Sequence, residues 1–125
     1  MGYESKFYIV RKLRHQIPND EGMIYAEVIA MVDMAKCYPL SSIFNTFPKT
    51  KCYFYADDGN TRIIEDRYGS ALPEASIPAT INVLEAVMHT STTPYWRYNF
   101  LLAILKEVEK QISPTDDFAV LHFGH

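Results

Sequence analysis

The dipeptide Asp58-Gly59 stands between two segments that favour β-structure, residues 51–57 and 60–66. Asp-Gly in this setting is a strong signal for a β-hairpin with a type I′ turn, because both central residues of that turn need positive φ. A hairpin centred there gives four favourable cross-strand pairs: Phe54 with Ile63, Tyr55 with Arg62, Tyr53 with Ile64, and Lys51 with Asp66. The sequence therefore predicts two antiparallel strands in the middle of the chain.

Length and composition limit the class of protein. With 125 residues, 48% of them hydrophobic, the chain is expected to form a single globular domain, residues 1–125, with its own core. The net charge is −3 and the basic residues form no block, so we do not expect nucleic-acid binding. Because the sequence shows neither a secretory signal nor an apolar run of membrane length, we expect a cytoplasmic protein without a membrane partner. Cys37 and Cys52 are then expected to be reduced and buried.

Three other segments are predicted to be strands. Residues 6–13 and 118–123 are rich in β-branched and aromatic residues. Residues 24–36 are ambiguous, because their Ala and Met content favours a helix. Every even position from 24 to 34 nevertheless carries an apolar residue, which favours a long strand and leaves the helix as an alternative. These residues are Ile24, Ala26, Val28, Ala30, Val32 and Met34.

Two helices are predicted in the C-terminal half. The first covers residues 77–88, with Ser76 as N-cap and Pro78 in its first turn. The second is predicted to begin at Pro94 with Thr93 as N-cap. Its expected buried side consists of Trp96, Phe100, Ala103, Ile104 and Val108, widened by Leu101, Leu102 and Leu105.

The remaining segments complete a fold prediction. Residues 38–44 are expected to form one short helical turn, and residues 15–22 and 67–73 are expected to be loops. The resulting order is β-β-β-β-α-α-β. Strands in a run followed by paired helices indicate an α+β protein, with a mainly antiparallel sheet of about five strands and two helices packed on one face.

The segment Tyr55-Ala56-Asp57-Asp58 is identical to the motif with which reverse-transcriptase palm domains hold magnesium ions. Adjacent carboxylates can bridge two metal ions during phosphoryl transfer. A polymerase also needs a third carboxylate and channels for template and nucleotide, which a chain of this length cannot supply. A role of the aspartates in the turn is therefore favoured, and we predict no cofactor. The alternative is a small metal-dependent enzyme acting on nucleotides or phosphoesters through Asp57, Asp58 and either Glu65 or His122.

The hairpin also predicts a binding surface. Strand alternation places Phe54 on one side and the neighbouring tyrosines on the other. If helices cover only one face of the sheet, the tyrosines contact solvent or a partner, and Tyr and Arg often dominate protein interfaces. The predicted surface consists of Tyr53, Tyr55, Asp57, Asp58, Asn60 and Arg62. The alternative is that these tyrosines only cover the core.

Residues 1–8, residues 53–60 with 65–69, and residues 120–125 carry a resemblance. Over most of its length the chain resembles small uncharacterised proteins encoded by phages and prophages of Gram-positive bacteria. The resemblance implies a cytosolic, host-cell setting and brings no known activity with it. Small phage accessory proteins often bind a host protein, including components of antiviral defence, so we expect this chain to inhibit or modulate such a protein. The sequence also allows a homo-oligomer formed through the exposed hairpin edge, and it allows a structural or assembly role.

Overall fold

The computed structural model describes residues 5–12, 17–35, 38–66, 69–91, 95–112 and 117–124, and it has an α+β fold. The described residues contain six strands: β1 (Ser5–Lys12), β2 (Ile24–Asp33), β3 (Cys52–Tyr55), β4 (Arg62–Ile63), β5 (Glu74–Ala75) and β6 (Phe118–Gly124). They also contain three helices: α1 (Tyr38–Phe44), α2 (Ile77–Thr90) and α3 (Trp96–Gln111). No helix in these ranges is long and apolar enough to cross a membrane.

The six strands form one sheet in the order β4-β3-β2-β1-β6-β5. Neighbouring strands are antiparallel except β2 and β3, so the predicted mainly antiparallel sheet is confirmed in outline and the sheet is mixed in detail. The parallel pair can form because the connection from β2 to β3 contains α1 and is long enough to cross over. Bridges from Lys49, before β3, to Pro73 and from Glu65, after β4, to Ala71 link the β3–β4 side of the sheet to the segment before β5, so the sheet is curled.

The ambiguous segment 24–36 is a strand over Ile24–Asp33, which excludes the helix alternative there; Lys36 lies outside the described residues. β2 contains a β-bulge opposite β1. Ile9 is paired with Ala30 and the next residue, Val10, with Val28, so Ile29 is the extra residue. Because side chains alternate along a strand, one extra residue moves all following side chains to the other face of the sheet.

Two hydrophobic cores lie on opposite faces of the sheet. The helix core lies under the helices, and its fully buried members include Phe7, Ile9, Met34, Phe44, Leu84, Leu101 and Leu105. The inner core fills the other face, with Val10, Ala26, Cys52, Phe54, Leu72, Ala119 and Leu121. The sheet therefore has one core beneath the helices and a second on its other face.

The first predicted helix is confirmed. The hydroxyl of Ser76 accepts a hydrogen bond from the backbone N–H of Ala79 at 3.2 Å, and Pro78 lies in the first turn. The helix runs to Thr90, two residues beyond the predicted end. The short predicted helix over 38–44 is also present as α1.

The second predicted helix is present, and Leu101 and Leu105 are buried as predicted. Its start was predicted wrongly, and so was the burial of Trp96, Phe100 and Ala103. Tyr95 has extended backbone angles, so α3 begins at Trp96; Thr93 and Pro94 lie outside the described residues. Trp96 and Phe100 are each 58% exposed, whereas Tyr98, Leu101 and Leu105 are buried. In the first two turns of α3, the side with Trp96 and the side with Leu101 are both apolar. The side with Trp96 continues into Lys106 and Glu107, and the side with Leu101 continues into Val108 and Ile112, which pack against the helix core.

The hairpin ladder is shorter than predicted. Only Phe54–Ile63 and Tyr55–Arg62 are paired, and the predicted pairs Tyr53–Ile64 and Lys51–Asp66 do not form. The chain leaves the ladder because residues after Ile63 pair elsewhere: Glu65 bridges to Ala71, and the backbone N–H of Asp66 donates to the carbonyl of Ser70 at 2.8 Å. The sequence did not predict β5, because a strand of two residues has no recognisable alternation.

Candidate functional site

The hairpin tip differs from the predicted type I′ turn. The backbone N–H of Gly59 donates to the carbonyl of Ala56 at 2.9 Å, and that of Ala56 donates to the carbonyl of Thr61 at 2.9 Å. Gly59 has φ +74°, whereas Asp58 has a negative φ. A turn over Ala56–Gly59 with positive φ only at its last residue is of type I, and it closes a four-residue loop. The predicted register is nevertheless right.

Asp58 uses both carboxylate oxygens inside this loop. Oδ1 accepts hydrogen bonds from the backbone N–H groups of Asn60 and Thr61, each at 2.8 Å, and Oδ2 accepts from the Thr61 hydroxyl at 2.6 Å. The Thr61 hydroxyl, followed by these two backbone groups, lowers the pKa of Asp58 below its ordinary value. The carboxylate thus stays ionised and fixes the loop, which is the local role favoured for this aspartate.

Three tyrosine rings lie beside the hairpin, and we call them the tyrosine cluster: Tyr25, Tyr53 and Tyr55. Tyr25 belongs to β2 and pairs with Tyr53 across the parallel ladder. The ring centroids are 5.8 Å apart between Tyr25 and each of the other two rings, and 6.0 Å apart between Tyr53 and Tyr55. These separations lie in the range of favourable aromatic contacts. Tyr55 is 42% exposed, so the cluster reaches the surface.

Arg62 completes this surface. Its Nη2 donates to Oε1 of Glu21 at 2.8 Å, and its guanidinium lies over the Tyr53 ring at 5.6 Å from the centroid. The hydrogen bond to Glu21 and its charge raise the pKa of Arg62 above its ordinary value. The sequence reasoning did not include Tyr25 or Glu21 in the site, because they precede the hairpin by about 30 residues and only the parallel β2–β3 pairing brings them there.

The six residues predicted for the binding surface lie together on the hairpin, and we call them the hairpin surface: Tyr53, Tyr55, Asp57, Asp58, Asn60 and Arg62. Tyr53 is half-buried and the other five are exposed. Phe54, predicted to point the other way, is buried in the inner core. Asp57 and Asp58 add two exposed carboxylates at the tip of the hairpin, and the charge of Glu21 is paired with that of Arg62.

The structure does not bring together the residues of the alternative metal site. Asp57 and Asp58 are at the exposed hairpin tip, whereas His122 is fully buried in β6. Within the part of the chain that the structure describes, no three His, Cys, Asp or Glu side chains lie close enough to hold a metal ion. The geometry therefore gives no support to a metal-dependent phosphoesterase at the hairpin.

His122 belongs to a buried polar network that the sequence reasoning missed. Nδ1 lies 2.9 Å from Oδ1 of Asn45, and Nε2 lies 2.9 Å from the Ser5 hydroxyl and 3.3 Å from that of Ser41. With Nδ1 donating to Asn45, Nε2 accepts from a serine hydroxyl, which is the tautomer of a Ser-His-Asn hydrolase. Ser5 and His122 are 0% exposed and Ser41 is 1% exposed. No substrate can reach these hydroxyls, so the network holds α1 against β1 and β6.

A second polar group lies beside the inner core. Nζ of Lys12 lies 2.7 Å from Oε2 of Glu74, and the Thr50 hydroxyl donates to Oε1 at 2.7 Å. Burial alone would lower the pKa of Lys12, but the hydrogen bond and charge of Glu74 raise it. Burial raises the pKa of the neighbouring Cys52 thiol, which makes it a poor nucleophile. The predicted burial is confirmed for Cys52, which forms no disulfide within the described residues; Cys37 lies outside them.

No protein-family model, curated protein or solved structure matches this chain. The functional interpretation therefore depends on the geometry of the hairpin surface and the tyrosine cluster.

Proposed function

We propose that this chain is a small protein-binding module that contacts its partner through the hairpin surface and Tyr25. The observation that carries the proposal is the tyrosine cluster beside Arg62, because exposed Tyr and Arg side chains in one patch are the residue types that contribute most to protein interfaces. A tyrosine presents a large, rigid contact area with few rotatable bonds.

The surface is held in one conformation before any partner binds. Glu21 and the Tyr53 ring fix Arg62, and Asp58 fixes the loop that carries Asn60. Side chains that are already ordered lose less entropy on association, so more of the contact energy is available for affinity. This order supports a role in binding beyond covering the core.

The charges around the cluster define the chemistry of the partner. Asp57 and Asp58 are exposed carboxylates, and Arg62 is already paired with Glu21. A complementary surface therefore carries Lys or Arg around an apolar centre. On the resemblance described above, we propose that the partner is a protein of a Gram-positive host cell and that the chain is a cytoplasmic phage accessory protein that inhibits or modulates it.

The test is an affinity pull-down from lysate of a Gram-positive host, read by mass spectrometry. Three proteins are compared: the wild type, Tyr55→Ala with Arg62→Ala, and a matched control, Asn82→Ala with Glu85→Ala, on the exposed side of α2. All three must show the same thermal melt. We expect one stoichiometric host protein with the wild type and the control, and its loss with the hairpin variant. Equal capture by the hairpin variant, or no capture by the wild type, overturns the proposal.

A further inference from the structure

The outward side of α3 carries an aromatic pair that the monomer leaves exposed. Trp96 and Phe100 are each 58% exposed and are the two most exposed aromatic residues among those described. Their rings meet edge to face with centroids 5.3 Å apart. Ala103 follows on the same side and is also exposed. An exposed Trp-Phe pair on one helix face is typical of an interaction surface.

Contacts between the start of α3 and the end of β2 fix the position of this aromatic pair. The Arg97 guanidinium lies 4.7 Å from the centroid of the Trp96 ring and donates a hydrogen bond to the backbone carbonyl of Asp33. The Tyr95 hydroxyl donates to the carbonyl of Met34 at 2.5 Å. The start of α3 is thereby anchored to the end of β2, and Trp96 is presented outward in a fixed position.

The outward side of α3 has two chemically different halves. The first half carries Trp96, Phe100 and Ala103, with the Arg97 guanidinium over the Trp96 ring as its one charge, and the second half carries Lys106, Glu107 and Lys110. Lys106 and Lys110 make only exposed ion pairs, at 3.8 Å to Glu85 and 3.5 Å to Glu107, and such pairs exchange readily. Aromatic faces attract ammonium groups, so each half complements the other half and not itself.

We propose that a second copy of this chain covers this surface, with the two α3 helices packed antiparallel about a two-fold axis at Ala103. Along the helix axis, Trp96 of one copy is then level with Lys110 of the other, and Phe100 is level with Lys106. The small Ala103 side chain meets itself and allows the helices to approach closely. Two-fold symmetry uses every contact twice, and antiparallel helices also align their dipoles favourably.

The structure favours this dimer over one formed through a sheet edge. The two outer strands, β4 and β5, have two residues each and offer few free backbone groups for pairing. The surface is also separate from the hairpin surface, so each dimer would present two hairpin surfaces to partners. Because α3 has only 16 residues, the interface is smaller than a standard one, and we expect a dissociation constant of roughly micromolar size.

Sedimentation equilibrium of the full chain tests the surface. We expect wild type to form dimers, and Trp96→Ala with Phe100→Ala to raise the dissociation constant at least tenfold. Tyr55→Ala with Arg62→Ala should leave it unchanged. Because Trp96 is the only tryptophan, its fluorescence should also shift to shorter wavelength as the wild-type concentration rises. A wild type that stays monomeric at several hundred micromolar, or an aromatic variant that dimerises normally, overturns the proposal.

Disulfide cross-linking tests the antiparallel arrangement. In a background with Cys37 and Cys52 replaced by Ala and a checked thermal melt, Ala103→Cys should cross-link rapidly. Asn99→Cys should not, because the two copies of residue 99 would be about 12 Å apart along the helix axis. Equal cross-linking at both positions would indicate parallel helices and would overturn the arrangement.

Discussion

Val28 and Ala30 are two residues apart in β2, yet their side chains pack in different cores on opposite faces of the sheet. Val28 pairs with Val10 and contacts the inner core, whereas Ala30 pairs with Ile9 and contacts the helix core. The bulge at Ile29 accounts for this difference. It allows one strand whose even positions are all apolar to contribute to both cores.

Deleting Ile29 is therefore expected to leave the protein folded with both cores intact. Without the extra residue, Val28 and Ala30 become neighbours, so ordinary alternation places Val28 opposite Val10 in the inner core and Ala30 opposite Ile9 in the helix core. The measurement is the near-ultraviolet circular dichroism spectrum and the urea-unfolding curve, in which we expect a native-like spectrum and a cooperative transition.

A matched substitution separates the bulge from the side chain. Ile29 is 44% exposed, so Ile29→Thr should change the free energy of unfolding by less than about 1 kcal/mol. If the deletion loses the cooperative transition that Ile29→Thr keeps, Ile29 is not the extra residue of the bulge.

The network around His122 is expected to contribute strongly to stability. His122→Leu removes the partner of Asn45 Oδ1 and of one serine hydroxyl, while Ser5 and Ser41 keep their own hydrogen bond, so it should lower the free energy of unfolding by about 2–4 kcal/mol. Ser41→Ala should cost only about 1 kcal/mol, because Ser5 still donates to the imidazole. Urea unfolding measures both. Similar losses for the two variants would contradict the assignment of His122 as the centre of the network.

The two sides of α3 should respond differently to truncation. Leu101→Ala removes a fully buried side chain and should cost about 2–5 kcal/mol, whereas Phe100→Ala should cost less than about 1 kcal/mol. Both are measured at low micromolar protein concentration, where association of the chain contributes little. If Phe100→Ala lowers the free energy of unfolding more than Leu101→Ala does, Phe100 lies on the buried side of α3, as expected from the sequence.

The hairpin loop should depend on pH through Asp58. Its folded pKa is lowered, so its contribution to stability is present above the unfolded value of about 3.9 and is lost as pH falls through the folded pKa. Asp58→Asn lacks the charge, so it should be less stable than wild type at pH 7. Thermal melts of both proteins between pH 7 and pH 2 should show this difference disappearing below about pH 4. A difference that persists unchanged at pH 2 would contradict this role.

Local signals in the sequence predicted the elements that depend on local physics. The Asp58-Gly59 pair predicted the hairpin register, Ser76 predicted the start of α2, and alternation predicted β2 as a strand. Each of these depends on residues within a few positions of one another, where turn chemistry, capping and period decide the structure.

The features that the sequence did not predict depend on contacts between residues that are far apart in the sequence. The parallel β2–β3 contact that adds Tyr25 to the hairpin surface and the His122–Asn45 contact both join distant residues, with no signal in either segment. α3 has two apolar sides in its first half. After Leu105, one side carries Val108 and Ile112 and the other side carries Lys106 and Glu107. This difference could have indicated which side is buried, whereas the spacing of the apolar residues alone did not.

The most direct test of the central claim is the comparison of partner capture by wild type and by Tyr55→Ala with Arg62→Ala, at equal concentration and with equal thermal melts. If the hairpin surface binds the partner, the host protein held by wild type is lost from the variant and kept by the α2 control. Retention of the same protein by the hairpin variant would show that another part of the molecule binds it.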